Sequence, residues 1–252
     1  MVKILLNILT HGDELAGVKV ADIIRARYPE IIGHGLDIQI ANERAFRSKK
    51  RYIDKDLNRV FPGNPAGCYE EIRANELKPI ISSYDLVIDI HSTESGSSDI
   101  VIVTKFDLNT KEILRALSSK YVLFMNIQPD RSLISCARVG LAFEMGSDKD
   151  ESTVTNTIKG IELLLSQNDL IGHKESFGFE TKYFDVFGQV GKPFGSRLES
   201  DIKNFVPIPK GQMFARTADG SPIFAEFDFY PVIFGSDNYE TIFGFAARPL
   251  TF

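Results

Sequence analysis

The chain has 252 residues, of which 43% are hydrophobic and 25% are charged, so it can bury a substantial core and still dissolve. This composition excludes fibrous, collagen-like, disordered and disulfide-stapled classes. Its 29 basic and 34 acidic side chains give a formal net charge of −5, which disfavours nucleic acid and anionic membranes as partners.

Cysteine usage and the amino-terminal residues predict a cytoplasmic protein. Cys68 and Cys136 are far apart, so they form neither a thiolate metal site nor a disulfide framework. The opening run MVKILLNILTHGDE reaches Asp13 and Glu14 without a small-residue cleavage pattern, and it is expected to be a strand rather than a signal peptide. The apolar runs are far shorter than the roughly 20 residues that a spanning helix needs.

Apolar runs alternate with helically periodic segments over the first two thirds of the chain. Strands are predicted at 2–9, 35–41, 86–90, 100–104, 122–126 and 139–145. Helices are predicted at 14–27, 70–82, 110–120 and 152–166. This alternation predicts an α/β fold with a mostly parallel or mixed central sheet flanked by helices. In such folds the active site lies at the carboxyl ends of the strands.

The composition of the sequence changes after residue 166. Gly and Pro become dense, helical periodicity disappears, and short aromatic runs such as TKYFDVFGQV, FVPI, PIFAEFDFYPVIF and TIFGFAA follow. These runs are typical of a small antiparallel β domain. We therefore expect a catalytic domain at 1–166 and a smaller β domain at 167–252 that shapes the substrate channel.

Polar residues lie at or near the ends of three predicted strands. His11 and Glu14 follow the first strand, His91 follows LVIDI, and Glu144 lies inside VGLAFEM. Two imidazoles and one carboxylate are the open ligand set of a catalytic zinc, although iron and cobalt suit it too. Structural histidines and a buried salt bridge at Glu144 are the alternatives. Asp89, two residues before His91, could orient that histidine.

The polar stretch 42–65 is predicted to be a long loop of functional importance. Basic side chains are frequent in it, and acidic residues alternate with them around apolar and aromatic positions in RYIDKDLNRVFPG. A solvated basic loop is one interpretation. The mixture of both signs favours an ordered wall of a site, since arginine suits bidentate recognition of a carboxylate.

Four motifs in this order resemble the aspartoacylase/succinylglutamate desuccinylase family of the zinc carboxypeptidase clan. They are THGDELAG, ANERAFRSKKRYIDKDLNRVFPG, DLVIDIHST and AFEMG. The later stretches FVPIPKGQMFARTADGSPI and YPVIFGSDNYETIFGF resemble the β domain of aspartoacylases. The resemblance implies that His11, Glu14 and His91 bind a single zinc ion, that Glu144 activates water, and that Arg51 polarises the scissile carbonyl.

The resemblance also implies substrate-binding residues. Asn58 and Arg59, in DLNR, match the pair that binds a substrate carboxylate, and Tyr239 resembles a tyrosine that reaches into the substrate channel. A core or surface tyrosine is the alternative for Tyr239. Family members carry a second substrate-binding arginine shortly before the catalytic strand, and neither Arg131 nor Arg138 aligns with it without a gap.

The expected function is hydrolysis of the amide bond of a small N-acyl amino acid by a zinc-dependent deacylase. A metallocarboxypeptidase that acts on short peptides or cell-wall fragments is the nearest alternative, and a non-catalytic binding protein on the same scaffold is another. Family members are often dimeric, so a homodimer is a further expectation. The acyl group and the amino acid stay open.

Overall fold

A nine-stranded mixed sheet organises the part of the chain that the structure describes. The structure is a computed structural model that describes residues 2–93, 98–117, 119–175, 178, 180–237 and 239–251. The strands in chain order are β1 (Ile4–Ile8), β2 (Leu36–Ile40), β3 (Leu86–His91), β4 (Ile100–Val103), β5 (Tyr121–Met125), β6 (Val139–Glu144), β7 (Lys182–Gly191), β8 (Arg197–Leu198), β9 (Met213–Arg216), β10 (Pro222–Phe224), β11 (Tyr230–Val232) and β12 (Ile242–Pro249). Across the large sheet the order is β11-β12-β7-β5-β4-β6-β3-β1-β2.

Helices cover both faces of this sheet. They are α1 (Ala16–Arg27), α2 (Glu43–Arg47), α3 (Tyr69–Ile81), α4 (Leu108–Leu117) and α5 (Glu151–Gln167). On β1, alternate residues enter different apolar clusters: Ile4 and Leu6 pack with α1, α4 and α5, whereas Leu5 packs with α3. In the described residues, no helix has the length and apolar character needed to cross a bilayer.

The predicted fold class is confirmed, with a sheet of mixed strand direction. β2, β1, β3 and β6 run parallel to one another, and β4 pairs antiparallel with β6. The predicted strands and helices of the first two thirds agree with the observed ones to within three residues at either end. Residue 118, inside the predicted helix 110–120, lies outside the described residues.

The stretch 42–65 is more ordered than the predicted loop. It contains α2 and a 3-10 turn at Leu57–Arg59. Asn42 caps α2, because its side chain accepts a hydrogen bond from the Ala45 amide, and Asp56 caps the 3-10 turn by accepting from the Asn58 amide. Polar residues that suggested an irregular loop are thus the residues that begin these short helices.

Strands from the carboxyl-terminal third continue the large sheet. β7 pairs in parallel with β5, β12 pairs antiparallel with β7, and β11 lies at the edge. β8, β9 and β10 form a separate antiparallel sheet, as expected for the smaller β region. The predicted run 205–208 has only an isolated bridge from Ile208 to Phe229. The domain boundary at 166 and 167 stays a prediction, since one sheet includes strands from both sides of it.

Candidate active site

The ends of three adjacent parallel strands bring the predicted site residues together. His91 is the last residue of β3 and Glu144 the last of β6, and the two are paired in register. His11 follows β1, the other neighbour of β3, after a turn in which Leu9 adopts a left-handed backbone with φ 58°. Because these strand ends meet at one edge of the sheet, His11, His91 and Glu144 line the same pocket.

His11, Glu14 and His91 form a buried cluster of metal-type donors. Their ligand atoms all lie within 4.8 Å of one another. His11 Nδ1 is 2.6 Å from Glu14 Oε1, His91 Nδ1 is 3.0 Å from Glu14 Oε2, and the two Nδ1 atoms are 3.3 Å apart. The three side chains have the relative positions expected of ligands that share one cation.

A separate carboxylate contacts the far side of each histidine. His11 Nε2 is 3.2 Å from Asp56 Oδ1, and His91 Nε2 is 2.8 Å from Asp89 Oδ2. This second contact is the one anticipated for Asp89 in the sequence. With Nε2 occupied in both rings, Nδ1 is the nitrogen that each histidine presents to the cluster.

Burial and charged neighbours shift the pKa values of all three members of the donor cluster. Burial alone raises the pKa of Glu14, but His11 and His91 lower it well below its ordinary value. Burial alone lowers the pKa of both histidines; Glu14 and Asp56 raise that of His11, and Asp89 and Glu14 raise that of His91 well above normal. A bound cation would compete with protons for these donor atoms.

Glu144 faces the pocket, and one of its carboxylate oxygens is buried away from water. Its carboxylate lines the pocket beside the histidines, while its Oε2 atom is buried and has no hydrogen-bond partner among the described residues. Burial raises the pKa of Glu144 to about 7, and the nearby Glu14 adds to this effect against His91. A carboxyl group with a pKa near neutrality is suited to accept and return a proton.

Arg51 borders the donor cluster. Its Nη1 atom donates to Glu14 Oε1 at 3.0 Å, and its Nη2 atom lies 3.0 Å from His11 Nε2 and 3.8 Å from Asp56 Oδ2. The backbone oxygen of Arg51 accepts a hydrogen bond from the Gly12 amide at 3.1 Å, which ties its loop to the turn that bears His11. The guanidinium thus carries a positive charge to the pocket at the edge of the cluster.

The other predicted substrate-binding residues also line this pocket. Asn58 and Arg59 lie on the 3-10 turn, where the Leu133 amide donates to Asn58 Oδ1 at 2.9 Å and holds the amide group in place. Tyr239 packs edge-on against Phe245, with ring centroids 5.8 Å apart. Burial, reinforced by Glu144, raises the pKa of Tyr239 to about 12, so the phenol stays protonated at neutral pH.

The two arginines left open by the sequence lie in different places. Arg131 is exposed and lines the pocket. Arg138 precedes β6 at the end opposite Glu144, and it pairs with Asp85 at 3.2 Å. Arg131 is therefore the one of the two that has access to a ligand in this pocket.

Glu70 is an organising residue that sequence reasoning missed. It is fully buried at the start of α3 and accepts hydrogen bonds from the amides of Ile53, Asp54 and Lys55 at 2.7, 2.9 and 3.1 Å, and from Asn42 Nδ2 at 3.2 Å. Although Asp54, Cys68 and Glu70 lie close enough to hold a metal, both Glu70 oxygens are occupied by these donors. The Glu70 carboxylate thus fixes the backbone of the loop that follows Arg51.

Gly12 and Asp148 support the turn between His11 and Glu14. A Cβ atom on Gly12 would lie 2.3 Å from backbone atoms of Ala45 and Phe46, so only glycine lets α2 approach this closely. Asp148 accepts hydrogen bonds from the amides of Leu15 and Ala16 at 2.8 and 2.7 Å and thereby caps α1 from the loop after β6. Sequence analysis singled out neither residue: Gly12 lies within THGDELAG without an assigned role, and nothing in the sequence linked Asp148 to α1.

Known proteins share this fold and parts of this sequence. The family model for the succinylglutamate desuccinylase/aspartoacylase catalytic domain matches residues 2–167. An N-acyl-aromatic-L-amino acid amidohydrolase (carboxylate-forming) of Xenopus laevis is 25% identical over 91% of this chain and 88% of its own length. A probable aspartoacylase of Trichodesmium erythraeum is 30% identical over 54% of this chain and 53% of its own length.

A solved structure extends the comparison to the whole fold. The crystal structure of murine aminoacylase 3 matches with a TM-score of 0.81 at 18% identity and covers 99% of this chain and 95% of that one. The shared fold and the names of the relatives support a hydrolase. The chain belongs to the succinylglutamate desuccinylase/aspartoacylase family, which confirms the resemblance of its sequence motifs.

Proposed function

We propose that this protein is a zinc-dependent hydrolase that cleaves the amide bond of a small N-acyl amino acid into a carboxylate and a free amine. The observation that carries the proposal is the convergence of His11, Glu14 and His91 on one point, beside Glu144, in a pocket that also contains Arg51. Membership of a hydrolase family supports the same reaction class.

The donor set fits zinc. Tetrahedral zinc with ligands at about 2.0–2.1 Å places neighbouring ligand atoms roughly 3.3 Å apart. The Nδ1 atoms of His11 and His91 already lie 3.3 Å apart, and both are close to the Glu14 carboxylate. When bound there, zinc would supply a Lewis acid that polarises the scissile carbonyl and lowers the pKa of water.

Residues of this chain provide the proton transfer and the charge balance. Glu144 accepts the proton of the attacking water and then delivers it to the leaving amine nitrogen, for which a pKa near 7 is well suited. The Arg51 guanidinium stabilises the negative charge that develops on the carbonyl oxygen. Tyr239, which is neutral and lines the same pocket, would offer a hydrogen bond to the substrate.

Asn58 and Arg59 would bind the carboxylate of the substrate. Arginine forms bidentate contacts with carboxylates, and the Leu133 amide holds the Asn58 oxygen, so the Asn58 NH2 group, which has no hydrogen-bond partner among the described residues, can donate to a ligand in the pocket. Pocket residues Gln189, Ile233, Tyr239 and Phe245 come from the carboxyl-terminal third and wall off one side. This enclosure favours small acyl amino acids over the long peptides of a carboxypeptidase.

Replacing Glu144 with Gln tests the proposal. The amide cannot accept the proton, so kcat should fall by about 10²–10⁴-fold while zinc content stays equal to that of the wild type. Zinc is measured by elemental analysis, and hydrolysis by release of the free amine from a panel of N-acyl amino acids. Glu151→Gln, an exposed residue at the start of α5, is the matched control.

The same assay includes a chelator arm. Removing zinc should abolish amine release, and adding it back should restore the rate. Full activity of Glu144→Gln, or a wild-type rate that is unaffected by complete zinc removal, would refute the proposal.

A further inference from the structure

One face of the large sheet forms the floor of the pocket from the catalytic end to an apolar end. Ala142, two residues before Glu144, pairs with Ile102 on β4, and Ile102 pairs with Leu123, two residues before Met125 on β5. Residues two apart on a strand share a face, so Glu144, Ile102 and Met125 point into the same space. The floor thus extends sideways from the donor cluster across β4 and β5.

The far end of this floor is an apolar wall, formed by Ile102, Met125, Ile127, Ile233 and Phe245. All five line the pocket and belong to one cluster of packed apolar side chains. Ile233 and Phe245 are only 4% and 3% exposed, so they are fixed by the core. Three of the five lie on β4, β5 and β12, which are on the other side of β6 from β3 and β1, whereas Ile127 follows β5 and Ile233 follows β11.

The charged side chains of the pocket lie outside the strands that contribute to the wall. Glu144 and Arg51 have roles at the reacting amide, and Arg59 binds a carboxylate in the proposed function. Arg131 is exposed and also borders a neighbouring surface depression with Tyr52 and Lys55, which places it at the mouth. Among the described residues that line the pocket, those on β4, β5, β7 and β12 include no charged side chain.

This distribution decides which substrates fit. A substrate carboxylate that lay against the wall would lose its water and meet no cation from these four strands, which costs more than apolar contact returns. An aliphatic or aromatic group would instead gain apolar contact with Met125 and Phe245. An acyl amino acid with one carboxylate and one apolar group fits the pocket, because the carboxylate can bind Arg59 while the apolar group contacts the wall.

We propose that this enzyme selects N-acyl amino acids that carry a bulky apolar group, and that this group packs on the apolar wall. The inference rests on the proposed amide hydrolysis. An apolar group can come from the amino-acid side chain or from the acyl chain, and both offer the wall the same chemistry.

A substrate panel on the zinc-loaded wild-type enzyme tests the inference. It contains N-acetyl derivatives of phenylalanine, leucine, glycine, aspartate and glutamate, together with N-hexanoylglycine. The expected kcat/KM for the best apolar compound exceeds those of the aspartate and glutamate derivatives by at least about tenfold. A preference for phenylalanine or leucine assigns the wall to the side chain, whereas a preference for N-hexanoylglycine assigns it to the acyl chain.

Other outcomes separate the inference from the proposed function. Hydrolysis with acidic derivatives preferred would overturn the inference and leave the proposed function standing. Hydrolysis of none of the compounds would count against the proposed function. In that case, calorimetric binding of the same compounds still decides the inference, and tighter binding of the acidic derivatives refutes it.

A charge placed on the wall provides a second, independent test. Met125→Lys puts a cation at the half-buried end of β5, so kcat/KM for the apolar compound should fall at least tenfold relative to that for its acidic counterpart. Leu108→Lys, on the exposed surface of α4 at 78% exposure, is the control for added charge and should leave the ratio unchanged. Ile127→Lys repeats the test on the loop after β5 if Met125→Lys does not fold. An unchanged substrate ratio in a folded wall variant overturns the proposal.

Discussion

Asp89 links His91, at the end of β3, to β1 and to the turn that carries His11. It is fully buried; its Oδ2 atom contacts His91 Nε2, and its Oδ1 atom accepts hydrogen bonds from Asn7 Nδ2 and Thr10 Oγ1, both at 2.7 Å. Asn7 is on β1, and Thr10 directly precedes His11. The orientation of the His91 ring therefore depends on β1 as well as on its own strand.

Asp89→Asn should weaken zinc binding by about 10–100-fold. The amide has one acceptor oxygen, so its NH2 group must face either His91 or the donors of Asn7 and Thr10. The measurement is a competition titration with a zinc indicator. Asp85→Asn, which changes an exposed carboxylate on the surface at the start of β3, is the control, and an unchanged zinc affinity in Asp89→Asn would show that Asp89 does not position the ligand.

At the scale of elements, α3 determines the shape of the loop that carries Arg51. Glu70 Oε1 accepts from Ile53 and Asn42, and Glu70 Oε2 accepts from Asp54 and Lys55. Both oxygens of one carboxylate thus fix the backbone between Arg51 and the 3-10 turn of Asn58 and Arg59. The side of the pocket that is proposed to bind substrate is thus held by a helix that lies outside the pocket.

Glu70→Gln should lower kcat/KM by about tenfold or more and destabilise the fold by about 1–3 kcal/mol, because in either orientation its NH2 group would face two hydrogen-bond donors. Zinc content should stay unchanged, since no member of the donor cluster contacts Glu70. Thermal melting and amine release are the measurements. Glu76→Gln, on the exposed face of the same helix, is the control. Wild-type melting and activity in Glu70→Gln would contradict this role.

The sequence predicted which polar residues meet in the pocket better than it predicted the residues that support them. His91 and Glu144 were found because a polar residue at the end of an apolar run is conspicuous, and parallel strands bring such ends together. Glu70 gave no such signal, since a glutamate in the first turn of a helix usually faces solvent. Its four partners are 15 to 28 residues away in the chain, and their meeting depends on the tertiary fold.

At the scale of the whole molecule, strand identity was predictable but strand partners were not. The run TKYFDVFGQV was correctly identified as a strand, yet its pairing with β5 depends on contacts distant in sequence. Phe184 and Phe245 pack on Ile100 and Leu123 across that junction. The carboxyl-terminal third therefore completes the core of the first part as well as one side of the pocket.

A fragment of residues 1–166 tests the predicted domain boundary. We expect it to aggregate or to melt without cooperativity, because it exposes the edge of β5 and the apolar residues that Phe184 and Phe245 cover. Circular dichroism melting and size-exclusion chromatography, with the full chain as reference, are the measurements. A monomeric fragment with a cooperative melt would instead establish 1–166 as an independent folding unit.

Different strands of the large sheet carry the residues proposed for catalysis and the residues proposed for substrate selection. The ends of β3 and β6 and the turn after β1 carry His91, Glu144 and His11, whereas β4, β5 and β12 carry Ile102, Met125 and Phe245 of the apolar wall. In the proposed mechanism, mutations in β4, β5 or β12 would alter which compounds are accepted and leave His11, His91 and Glu144 in place. Such a division makes this scaffold readily evolvable, and it gives protein engineers a defined set of positions at which to redirect the enzyme toward new amides.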